Sequence, residues 1–159
     1  MQFITYLLAS IASSMGLLIG FILMKVAPEE QRPLEKYFIL LRRTLIFLIV
    51  IFLIFYHFQN WLYLTALILL GILILLIEYK TNHLKREIIT YPALGILFYL
   101  SSKNINLFAI DSSLILLYGL PAASLIYKRK EKSQYKFIFC SIGFVVISNL
   151  PFLVTIFPF

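Results

Sequence analysis

Asp111 is the only aspartate in the chain and the one acidic residue placed inside an apolar run. A carboxylate in hydrocarbon is costly, so such groups face a partner, water or a pathway. Tyr118 and Ala122 follow it at intervals of seven and four, which puts all three on one helical face. Ser148 and Asn149 lie in the next apolar run, at a similar depth when residues are counted from the ends of the two runs. A hydrogen-bonded Asp111–Asn149 or Asp111–Ser148 contact is therefore expected, with Lys103 as another candidate partner. Asp111, Ser148, Asn149 and Tyr118 form the candidate polar site. A transport or proton-relay role competes with a structural one, in which Asp111 caps a helix start by accepting bonds from free amides.

Eight and ten residues on from Asp111, Gly119 and Pro121 interrupt the same run. Proline removes a backbone donor and kinks a helix, so this pair is a candidate hinge. Glu78, His83 and Glu87 are close in sequence, and His83 and Glu87 share a face if that stretch is helical. Their spacing matches no metal motif and solvated loop charges explain them, so no metal is expected. His57 stands beside Gln59 and Asn60 in a polar turn. A single aspartate excludes an aspartate dyad and multi-Asp metal sites. The sequence has no Gly-x-Ser-x-Gly, His-Glu-x-x-His, phosphate-binding loop or Gly-x-Gly-x-x-Gly. No cofactor is expected, and one cysteine, Cys140, permits no internal disulfide.

The elements that must hold these residues are apolar. Of 159 residues, 62% are hydrophobic and 13% charged, with mean hydropathy +0.96. A soluble domain of this length cannot hide so much Ile, Leu and Phe. Thirteen of the fourteen Lys and Arg residues fall in three stretches: Lys25–Arg43, Lys80–Arg86 and Lys128–Lys136. These occupy every second gap between apolar runs. The gap at His57–Trp61 has no Lys or Arg, and the gap at Ser101–Asn106 has only Lys103. Such alternation is the mark of a multi-pass membrane protein with basic loops inside. The formal charge of +7 is thus a matter of topology, and no nucleic-acid partner is expected. Anionic lipid head groups at the cytoplasmic face are the expected partners, at about 1 kcal/mol per well-placed Lys or Arg.

The expected fold is all-α: a single domain over residues 1–159, a bundle of six transmembrane helices with both termini extracytoplasmic. The spans are Phe3–Met24, Phe38–Phe58, Trp61–Ile77, Ile88–Ser102, Leu107–Tyr127 and Phe137–Phe157. No basic residue precedes the first, so a retained helix rather than a cleaved signal is expected. The fourth is short, roughly 22 Å against about 30 Å of hydrocarbon. Either it starts near Leu84, with Lys85 and Arg86 snorkelling, or it is re-entrant. A re-entrant segment would put Lys128–Lys136 outside, so six spans are preferred. Tyr56, Trp61 and Tyr63 then flank an outer turn, and Tyr37, Tyr79, Tyr91, Tyr127 and Tyr135 lie near the inner boundary. The two halves share no pattern that would indicate an inverted repeat.

In lipid, small and polar residues mark helix contacts. Span one carries Thr5, Ala9, Ala12, Ser13, Gly16 and Gly20, with Ala12, Gly16 and Gly20 as a close-packing ladder. Span two has no polar residue from Leu45 to Phe55, and span three has only Thr65 and Gly71 between Leu64 and Ile77. Spans one, four, five and six are therefore expected at the centre. Spans two and three form a peripheral hairpin that faces lipid or a protein partner. The functional expectation is a non-enzymatic subunit or accessory of a membrane assembly in the cell membrane. One alternative is a small transporter or channel with a polar pathway near Asp111. Another is a lipid-modifying enzyme at the cytoplasmic interface.

Overall fold

A computed structural model describes residues 3–27, 29, 31–58, 61–80, 83–127 and 134–156. Within the helices, the side chains of residues 31–32, 62–63, 66, 78–80, 83–88, 126–127, 134–137 and 152–156 lie outside that description. The elements are six helices: α1 Phe3–Val26, α2 Gln31–Tyr56, α3 Trp61–Lys80, α4 His83–Ser101, α5 Ile105–Tyr127 and α6 Gln134–Ile156. No strand occurs among the described residues. Three stretches, Phe3–Val26, Pro33–Tyr56 and Ile105–Leu125, are long and apolar enough to cross a membrane. They mark the chain as a membrane protein. Leu67–Ile77, Ile89–Ser101 and Ile138–Pro151 are shorter apolar helical stretches.

Helix ends follow local chemistry. Pro33 falls in the first turn of α2, where its missing amide costs no hydrogen bond. The helix α4 extends further back than the apolar run of residues 88–102. It takes in Leu84, Lys85, Arg86 and Glu87, all good helix formers. Its 19 residues make one continuous rod of about 28 Å. Pro92 lies within it without ending it.

Contacts fix the direction of each helix. Ser13 meets Ser112, Gly16 meets Leu116, and Gly20 meets Leu120 and Ala123, so α1 and α5 run parallel. Tyr6 reaches Ser148, while Ser14 and Ser141 line one groove, so α6 runs antiparallel to α1. Tyr91 meets Tyr118 and Phe98 meets Phe108, so α4 is antiparallel to α5.

The helices α1, α5, α4 and α6 close a ring, each packed on the next. That is the expected central cluster, with one correction. The helix α2 is not peripheral. It packs along α5 through Arg42, Leu45, Ile46, Ile49, Val50 and Leu53, all buried. Dispersion between branched side chains suffices for this docking, so polarity does not reveal it. Only α3 is peripheral, touching α2 and α4 and exposing Ile68, Leu69, Ile72, Leu73 and Leu76.

A second correction concerns the ladder on α1. Gly16 and Gly20 pack against α5, but Ala12 and Thr5 are exposed. The buried arc of α1 runs through Tyr6, Ser10, Ser13, Leu17, Gly20 and Met24. At about 100° per residue, Ala12 falls outside it, because a strict spacing of four drifts around the helix. The approach of α1 to α5 is close enough that a Cβ on Gly16 would fall on the Leu116 carbonyl. One on Gly119 would fall on the Gly16–Leu17 backbone.

Candidate functional site

The start of α5 is capped by Asn104, not Asp111. Asn104 Oδ1 accepts from the amides of Asn106 at 3.0 Å and Leu107 at 3.4 Å. Asp111 lies more than a turn further in. It is 0% exposed, and neither carboxylate oxygen has a hydrogen-bond partner among the described residues. Phe108, Ile115, Tyr118 and Ala122, all buried, share its face of the helix.

The expected contact between Asp111 and Asn149 or Ser148 is not made. Equal depth did not make them neighbours: α6 packs on α4 and α1, whereas α5 packs on α1, α2 and α4. Ser148 and Asn149 bond to α1 instead. Tyr6 donates its hydroxyl to the Ser148 carbonyl at 2.7 Å. Asn149 Nδ2 donates to Ser10 Oγ at 3.0 Å and to the Val145 carbonyl at 2.8 Å. A carbonyl can only accept, so this second bond fixes the orientation of the amide. Asn149 Oδ1 is then the end left buried without a hydrogen bond among the described residues. Lys103 is exposed in the turn before α5 and makes no hydrogen bond to Asp111.

Tyr118 is fully buried two turns along α5 from Asp111, about 10 Å away by helical rise. Its ring lies 5.7 Å from that of Tyr91, which meets Phe144 edge-on at 6.5 Å. Towards the Asp111 end, Phe98, Phe108 and Tyr6 form a second aromatic group. Their centroids are 4.8 Å apart for Phe98–Phe108 and 5.6 Å for Tyr6–Phe108. Gly119 and Pro121 are buried, and α5 runs unbroken through both. Gly119 is accounted for by its close approach to α1.

Sequence reasoning missed Arg42. It belongs to a stretch that reads as a basic loop, yet it is 0% exposed and one of the largest fully buried side chains among the described residues. Its neighbours on α2 face, Leu45, Ile46, Ile49 and Leu53, recur at helical spacing, and Arg43, about 100° round, is exposed. That periodicity was the available signal. Arg42 is not without a partner, although its Nε makes no hydrogen bond among the described residues. His57 Nδ1 donates to the Leu53 carbonyl of its own helix at 3.2 Å, which agrees with a structural turn. The side chains of Glu78, His83 and Glu87 lie outside the described residues. Among the described residues no three His, Cys, Asp or Glu side chains gather as metal ligands.

Two grooves open on the outside of the bundle. One, about 530 Å³, lies between α3 and α4, lined by Leu69, Leu73, Ile74, Ala93 and Ile96. The other, about 220 Å³, lies between α1 and α6, with Ser14 and Ser141 among apolar neighbours. Ser141 Oγ is buried there without a hydrogen bond among the described residues. The interior thus pairs an α1–α6 polar network, with Asn149 Oδ1 as its unbonded end, with a carboxyl that has no hydrogen bond among the described residues. No family model matches the chain, and neither a curated protein nor a solved structure matches it.

Proposed function

We propose that this chain is a six-span protein of the cell membrane, with both termini extracytoplasmic, and that it acts as a small transporter or channel with a polar pathway near Asp111. The topology is supported by the alternation of basic and non-basic gaps and by the alternating helix directions. A continuous α4 supports a full crossing over a re-entrant loop. The transport reading is carried by one observation: Asp111 is wholly enclosed by protein and accepts no hydrogen bond among the described residues. A cap or a head-group contact would leave it exposed or bonded. Intramembrane acids retained at such cost serve pathways and relays.

The reading is tested in liposomes of purified protein. Ion or proton flux should appear with the wild type and fall at least about tenfold, over 1.4 kcal/mol, in Asp111→Asn. Flux that survives the substitution refutes it. The threading is tested on intact cells carrying Cys140→Ala. An impermeant thiol reagent should label a cysteine at position 104 and spare one at position 130; the reverse pattern overturns the topology.

A second reading, the non-enzymatic subunit, is favoured by α3. This helix is held on one edge and turns large apolar side chains and the 530 Å³ groove outward. Purification in mild detergent should then retain a second chain in fixed ratio, lost when Leu69 and Leu73 are changed to Ala.

A further inference from the structure

We infer that the species held by Asp111 is a proton rather than a metal cation; the inference rests on the reading that Asp111 lies within the membrane. A bound metal ion must recover the hydration it gives up. Hard cations do so with about six to eight oxygen ligands, or with rings of carbonyls. Asp111 brings two oxygens, and none of the described residues hydrogen-bonds to them. Its own face offers Phe108 and Ile115 before the next polar group, Tyr118, two turns away.

The helices packed on α5 carry three titratable or charged groups among their buried described residues. Tyr6 on α1 gives its hydroxyl to the Ser148 carbonyl. Tyr91 on α4 packs its ring at a tilt against Tyr118 and edge-on against Phe144. Arg42 on α2 has interactions of its own. None of the three is hydrogen-bonded to the carboxyl. A proton needs no ligand shell: it bonds to one carboxylate oxygen, leaves a neutral acid and requires no cavity. Release breaks that O–H bond, returns a carboxylate and requires an opening of the enclosed site that admits water to take the proton.

Because Asp111 is the sole aspartate, carbon-13 placed in aspartate side-chain carboxyls reports on it alone. Infrared spectra of the labelled full chain in liposomes at neutral pH should show the C=O stretch of a carboxylic acid. The band should carry the isotope shift, move in D₂O and stay when choline chloride is replaced by sodium, lithium or magnesium chloride. An isotope-shifted carboxylate doublet instead, or conversion to one on adding a metal salt, overturns the proton assignment. Liposome flux is scored separately. The acid band without flux upholds the proton site and removes the transport reading; flux with a carboxylate doublet does the opposite.

Discussion

Gly16 and Gly119 are glycines because two backbones occupy the space a side chain would need. A methyl at Gly16 lands on a carbonyl that belongs to a rigid helix, so the helices must separate to admit it. Gly16→Ala should cost about 1–3 kcal/mol, the usual penalty of overpacking. Gly143 has nothing within 4 Å of its would-be Cβ. There, Gly143→Ala should be neutral or gain up to about 1 kcal/mol of helix propensity. Thermal unfolding in detergent separates the two, and equal losses would contradict the packing described for α1 and α5. The α1–α6 network makes a smaller claim. Tyr6→Phe and Asn149→Leu each remove one cross-helix bond, worth about 0.6 kcal/mol and at most about 1.7. Combined, they should depart from additivity, since both side chains bond Ser148, Tyr6 at its carbonyl and Asn149 at its hydroxyl.

Among the elements, α2 is the instructive one. Arg42 and Arg43 are adjacent in sequence and opposite in fate. Arg42→Ala should destabilise by more than about 2 kcal/mol, because it strips groups that interact with a buried charge and leaves a void. Arg43→Ala should stay within about 0.5 kcal/mol. Comparable unfolding temperatures for the two variants would contradict the placement of Arg42. The number of helices and their rough ends were legible because polar gaps, three of them strongly charged, interrupt apolar runs. The neighbours were not. Of the serines that read as contact markers, Ser13 does bond across to the Ser112 carbonyl of α5, whereas Ser112 and Ser148 spend their hydroxyls on carbonyls of their own helices. A hydroxyl satisfied that way says little about what lies across from it. Asp111 stands out in the sequence because its isolation among apolar residues is visible in composition. Its lack of a partner depends on which helices abut α5, and no spacing within one run encodes that.

At the scale of the whole molecule, the order of helices along the chain differs from their order in space. The closest pair, α1 and α5, is joined through three intervening helices. About 100 residues separate Gly16 from Leu116. At roughly 5–20 residues per second, the ribosome delivers the mate of α1 some 5–20 seconds late. Through that delay the glycine groove of the nascent first segment stands open to foreign helices. An insertase or chaperone that shields it until the fifth segment leaves the translocon would be as much a determinant of yield as the finished packing.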